Sequence, residues 1–273
     1  MKQITAAATM LFAVAAGAAF AQNSNAPSSR GNAMATVSPD VVKSLAPTGT
    51  LRAGLNLGNI VLAQTLPNGQ LGGVTVELAR ELGRRLNVPV ELKPFDAAGK
   101  SFEAMKAGAL DIVFLAIEPV RAAEIEFTAP YVIIEGVYMV PKDSPIKSVA
   151  EVDREGVRIA VNKASAYDLF LTRSLKHATL VRDEVGIDAF IDQKLEVVAG
   201  VKQPMAAYAK AHPNVRLLDG RFMEICQAMG TVKGRDVGAR YLHAFIEELK
   251  ASGFIADALK RSNQPDAAVA PPG

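Results

Sequence analysis

Arg121 is the side chain best placed for chemistry in this sequence. An apolar run, Ile112 to Ile117, reads as a buried strand; it ends at Glu118-Pro119, where a short helical stretch begins with Arg121 in its first turn. A helix N-terminus carries partial positive charge and favours anions. An arginine there is opposed by that field, and from the residues alone it reads first as pairing with Glu124 or Glu126 on the surface. Ser165, in "NKASAYD", is an N-cap with Asp168 three residues on. The other chemistry-bearing residues are sparse. His177, His212 and His243 have no metal-ligand spacing. Cys226, the single cysteine, permits no intrachain disulfide, and its apolar setting "FMEICQAMG" reads as buried and inert. Nothing resembles a Ser-His-Asp, Cys-His or metal constellation, and no cofactor is expected.

The elements that must position these residues come from a chain of 273 residues, 49% hydrophobic and 21% charged, long enough for one large domain or two small ones. Net charge is +2 from 30 basic and 28 acidic residues, well mixed, so no nucleic-acid footprint is expected. The opening "MKQITAAATMLFAVAAGAAFA" sets Lys2 before an apolar stretch and ends in Ala19-Phe20-Ala21, the pattern of a secretory signal peptide over 1–21. The stretch is short for a membrane span. Export to the periplasm is the expectation, with an uncleaved anchor as the alternative. Residues 22–45 read as a flexible leader and 263–273 as a frayed tail.

Between them, strand and helix patterns alternate. "TLRAGLN", "PVELKPF" and "DIVFLAI" read as strands. "TVELARELGRRLN" is an amphipathic helix that Thr75 can cap, and "SFEAMKAGA" a shorter one. The alternation restarts with "VRIAVNK", the helix from Ser165, the strands "TLVRDE" and "EVVAGV", and the helix "PMAAYAKAHP". The pattern predicts an α/β chain with a largely parallel sheet. Two long extended runs, 132–140 and 224–232, have no helix behind them and read as crossings between two α/β halves, with a cleft between.

In this order, "LRAGLN", "LGGVTVELARELGRRLNVPVEL", "AMKAGALDIVFLAI", "EPVRAAEIEFTAPY", "VRIAVNKASAYDLFL" and "AFIEELKASGFIADAL" resemble the polar amino acid-binding family of periplasmic ABC-transporter substrate-binding proteins, the bacterial extracellular solute-binding proteins of family 3. The most specific piece is the Arg–acidic–Phe–x–x–Pro–Tyr spacing from Arg121 to Tyr131. The resemblance implies a two-lobed type II periplasmic binding protein with two hinge crossings. Lobe 1 would comprise 46–137 and 229–262, and lobe 2 would comprise 138–228. It implies a monomeric, non-enzymatic protein that binds a small carboxylate and delivers it to an inner-membrane ABC permease. Arg121 would hold the ligand carboxylate, since a guanidinium pairs with it bidentately. Ser165 and the amides around Ala166 and Tyr167 would hold its other side.

Three departures bear on the ligand. The loop after the first strand, "LNLGNIVLAQTLPNGQLGG", lacks the family's aromatic residues, leaving Asn56, Asn59 and Gln64 for polar contacts. "FLAIEPVR" is shorter than the family's connection and brings Ala116 and Glu118 near the site. The aspartate that neutralises a ligand ammonium is missing from "KLEVVAGVKQPMAAYA", where Gly200 and Val201 are followed by Lys202. Either another acid takes over (Glu118, Glu135, Glu77 or Glu224) or the ligand has no α-ammonium. Lys202 would favour a second negative group. The same fold also hosts a periplasmic cyclohexadienyl dehydratase, for which Glu118 or Glu135 would be the general acid. A sensory role beside a receptor kinase is a third reading.

Overall fold

The computed structural model describes residues 37–273, so the signal-peptide pattern and most of the leader lie outside the described residues. The rest of the expected leader is ordered. Ser38 caps α1 (Pro39–Leu45), accepting from the Val41 amide, and Val41 and Leu45 are buried. Its contact is α8, far along the chain, so the local Ser/Pro-rich composition concealed it.

From there the chain builds a first α/β unit: β1 (Leu51–Asn56), a small hairpin of β2 (Gln64–Thr65) and β3 (Leu71–Gly72), α2 (Val74–Leu86), β4 (Val90–Phe95), α3 (Ala98–Lys106) and β5 (Ile112–Ala116). β1 lies between β4 and β5, parallel to both. Burial of all five residues of β5 matches its unbroken apolar run. Thr75 does not cap α2: Gly73 occupies that position at φ 106°, and Thr75 Oγ1 donates to Leu62 O at 3.0 Å. Asp111, fully buried before β5, joins Arg52 Nη2 at 2.8 Å and Arg235 Nη1 at 3.0 Å, which ties the start of the strand to β1 and to the chain after the second crossing.

The chain then runs through α4 (Pro119–Ala122), β6 (Ile125–Phe127) and the ten-residue β7 (Val132–Pro141). A second unit follows: β8 (Arg158–Asn162), α5 (Ala166–Ser174), β9 (Thr179–Asp183), α6 (Gly186–Asp192), β10 (Val197–Val201), α7 (Lys202–Ala211) and β11 (Val215–Leu217). β8 lies parallel to both β9 and β10. The long β12 (Met223–Val232) returns to the first unit, and α8 (Asp236–Ala251), α9 (Phe254–Arg261) and β13 (Ala268–Val269) complete the chain.

The main sheet runs β4-β1-β5-β12-β7-β10-β8-β9. Each half is parallel, as the alternation predicts. The centre is antiparallel because β12 pairs with β5 and with β7, and β7 pairs with β10. The crossings expected at 132–140 and 224–232 are thus the two strands shared by both halves. The tail corrects the expectation of fraying. β13 pairs antiparallel with Val132 and Ile133 of β7, Ala267 and Ala270 are buried, and Lys250 Nζ donates to Pro271 O at 2.8 Å. A short extended segment thereby covers backbone at the start of the first crossing.

Candidate functional site

A cavity of ≈ 310 Å³ opens between the halves. From the first half it is lined by the end of β1 and the turn after it, the turn after β4, the end of β5, and Arg121. The second half contributes Asn162 and Lys163 after β8, the first turn of α5, the start of α6, the end of β10, and one face of α7. Ile225 and Gln227 of β12 form its floor. Ligand sites in open α/β sheets lie where strands deliver their carboxyl ends, and β1, β5, β8 and β10 all end here.

Arg121 is 1% exposed. Its Nη1 donates to Ala116 O at 3.2 Å and its Nη2 to Ala164 O at 2.9 Å, so it bridges the two halves. Burial pulls its pKa down to about 10, against the attraction of Glu118, and the guanidinium stays cationic at neutral pH. Two carbonyls take two of its five N–H donors, which leaves donors for an anion. α4 is a single turn, so the opposing helix dipole expected there is small; desolvation is what an anion would relieve.

Facing Arg121 is the start of α5. Ser165 caps the helix, accepting from the Asp168 amide at 3.1 Å. Asp168 is buried and reaches back, accepting from the Ala164 amide at 2.8 Å and from Arg182 Nε at 2.9 Å. This network holds Ala164 at φ 56°, the conformation that turns its carbonyl to Arg121. Among the described hydrogen bonds the amides of Ala166 and Tyr167 have no acceptor, as expected in a first helical turn. Burial pushes the Tyr167 hydroxyl up to about 12, so it stays protonated.

Of the residues singled out in the sequence, Arg121, Ser165, Ala116, Ala166, Tyr167, Asn56 and Val201 line the cavity, and so does Asn59. Glu118 does not. Though 3% exposed, it turns to α5, with its Oε2 2.5 Å from Arg173 Nη1, a charge contact that is off the hydrogen-bond axis. Glu135 does not either: Lys202 Nζ lies 2.6 Å away and Arg221 Nη1 3.0 Å away on the outer surface. That contact also removes Lys202 from the cavity. Glu77 pairs with Arg261 and Glu224 with Arg221, and Gln64 donates to Ser262 O.

The sequence reading missed Asp96, Asn162, Met205, Tyr208, Ile225 and Gln227 as lining residues. A signal existed for Gln227: it is a polar residue in the middle of the second crossing, two positions from Ile225 and hence on the same strand face. Asp96 is the one carboxylate at the cavity, at its rim, where Lys100 Nζ contacts it at 2.8 Å and holds its pKa below the ordinary carboxylate range. The aromatic surface comes from the second half, with Tyr167 and Tyr208, rather than from the loop after β1. Cys226 is half-buried and free, and burial raises its thiol pKa.

A comparison with curated protein sequences gives no match. Among solved structures the fold is similar to a solute receptor for L-cysteine of Neisseria gonorrhoeae, with TM-score 0.71 and 24% identity, over 82% of this chain and 94% of that one. It is similar to the cysteine-binding protein from Campylobacter jejuni, with TM-score 0.69 and 20% identity, over 81% of this chain and 92% of that one. It is also similar to an ancestral amino acid-binding protein, AncCDT-1, described as a precursor of cyclohexadienyl dehydratase, with TM-score 0.67 and 23% identity, over 81% of this chain and 98% of that one. These likenesses carry the two-lobed α/β fold. The family model for bacterial extracellular solute-binding proteins, family 3, matches residues 60–263, three quarters of the sequence, and the chain belongs to that family.

Proposed function

We propose that the chain is the exported solute-binding component of an ABC uptake system, holding an amino acid or related small carboxylate between its lobes. The observation that carries this reading is Arg121: a buried cation with spare donors, lining the cavity that the first amides of α5 also line. Guanidinium from one side and helix amides from the other form a carboxylate clamp. The lobes would divide near 137/138 and 228/229 and close by hinge motion about β7 and β12, presenting the closed form to a permease. Periplasmic location and a monomeric state belong to the same reading. Among the described residues no helix is long and apolar enough to cross a membrane.

The dehydratase alternative needs a general acid against the substrate. Glu118 and Glu135, its candidates, both lie outside the cavity lining, which favours binding over turnover. A thermal-shift screen of α-amino, hydroxy, keto and des-amino acids on wild type and Arg121→Ala tests the reading. Ligand at 100 times its Kd stabilises by about 2.7 kcal/mol, a shift of several degrees for a domain of this size. Shifts that vanish in Arg121→Ala support it; shifts untouched by the substitution, or phenylpyruvate formed from prephenate, overturn it.

A further inference from the structure

Contacts outside the cavity also join the two halves. Gly99 of α3 lies against Ala164, and a Cβ on it would sit 2.7 Å from Ala164 Cβ, well inside the roughly 3.5–4.0 Å of a carbon–carbon contact. Glu118 Oε2 meets Arg173 Nη1 of α5 at 2.5 Å. Lys100 Nζ stands 2.8 Å from Asp96 in its own half and 3.4 Å from Glu184 in the other. None of Gly99, Lys100, Glu118, Ala164, Arg173 and Glu184 lines the cavity that Arg121 and the start of α5 share.

These contacts differ in weight. Lys100 and Glu184 are 52% and 61% exposed, so their attraction is screened and small. Gly99 matters through shape. Ala164 is held at φ 56° by its bond to Asp168, so its methyl cannot swing aside, and any side chain at position 99 would have to push the halves apart. Glu118 matters through charge. It is 3% exposed where the halves meet and would regain water where they part. Closing therefore removes water from a carboxylate, which is costly without a counter-ion. Arg173 brings that ion from the other half, and its Nη1 also donates to Leu169 O at 2.8 Å, which sets the guanidinium on its own helix.

We propose that Gly99 against Ala164 and Glu118 with Arg173 form a latch that sets how far the halves favour the closed form. The latch tunes the apparent affinity and dwell time of the site without touching what the site holds, because apparent affinity scales with the fraction of binding-competent protein. This inference rests on the hinge-closing reading above and adds the residues, beyond the ligand's reach, that bias the hinge.

Carbodiimide coupling of the purified chain tests it with no ligand present. The reagent joins an amine to a touching carboxylate as an amide and takes up the water released. Lys100 can thus couple to Asp96 within its half or to Glu184 across the gap. Peptide mass spectrometry gives the ratio of the two products, and the Asp96 product controls for a folded first half. Wild type should yield the Lys100–Glu184 product. Gly99→Leu wedges the halves while favouring α3 itself, and Arg173→Ala strands Glu118. Each should lower the ratio at least about fivefold, and Glu118→Gln in the Arg173→Ala background should restore most of it. No cross-gap product in wild type, an unchanged ratio in either variant, or no recovery with Glu118→Gln overturns the latch. The small carboxylate that raises wild-type thermal unfolding most should leave Gly99→Leu at least about fivefold faster than wild type in stopped flow, and equal rates overturn the latch as well. A latch that fails in coupling while Arg121→Ala abolishes the thermal shift leaves the clamp intact. If no carboxylate shifts thermal unfolding, the clamp fails and coupling alone decides the latch.

Discussion

At one end of the cleft, Arg121 and the first amides of α5 face each other across the halves, with Glu118–Arg173 spanning the same gap beside them. At the other end Gly200, Val201, Met205 and Ile225 present no charged group. The first end uses a buried cation held by two carbonyls, so its geometry is fixed before any ligand arrives. The second relies on shape, with uncharged polar groups such as Asn56, Asn162 and Gln227 elsewhere on the lining. The contrast separates affinity from selectivity: the charged end accepts any carboxylate, and the uncharged end decides what the carboxylate is attached to.

The largest effect should come from breaking the charged end indirectly. Arg173→Ala leaves the Glu118 carboxylate, 3% exposed, without its contact ion, and should lower stability by about 1–3 kcal/mol in chemical denaturation. Glu118→Gln in the Arg173→Ala background should recover most of that loss, which a packing defect alone would not allow. Next, Val201→Asp puts a charge on the uncharged wall and should weaken monocarboxylate binding at least about tenfold by calorimetry, while improving the relative standing of amino acids. Gly200→Ala pushes a methyl against Met205 Cε, a flexible end that can give way, so it should cost only about 1 kcal/mol in thermal unfolding. The smallest effect is with pH. The folded-state pKa of Arg121, lowered to about 10, and that of Asp96, lowered by Lys100, both keep their charged forms between pH 6 and 8. Carboxylate affinity should therefore be flat across that range, and should fall only as pH approaches the Arg121 value, where the protonated clamp is lost.

Much of the charged end was legible in the sequence because its signals are local. An unbroken apolar strand followed by Glu118-Pro119 set Arg121 at a strand end, and Ser165 with Asp168 marked a helix start. The same locality misled at Glu118. Ala116 and Arg121, two and three residues away, line the cavity, yet the partner of Glu118, Arg173, lies on a helix of the other half. Glu135 is similar, since Lys202 and Arg221 reach it only after β7, β10 and β12 are paired. Gln227 lines the site through the register of β12, which periodicity does not specify. α1 and β13 were read as mobile because short polar or Ala/Pro-rich segments carry no pattern of their own. Their order comes from contacts with α8 and β7, remote in the chain. The helix α6 was missed as well; its Ala189 and Phe190 pack onto the second half's core, but seven residues give too few turns for a helical period to stand out.

The central claim is that Arg121 anchors a ligand carboxylate. Calorimetric titration of the purified chain with the small carboxylate that raises its thermal unfolding most, on wild type, Arg121→Lys and Arg121→Ala, tests it most directly. The account predicts saturable binding by wild type, partial loss in Arg121→Lys, which keeps the charge but not the planar fork, and a loss of at least about 100-fold in Arg121→Ala. Equal affinities in folded wild type and Arg121→Ala would contradict it.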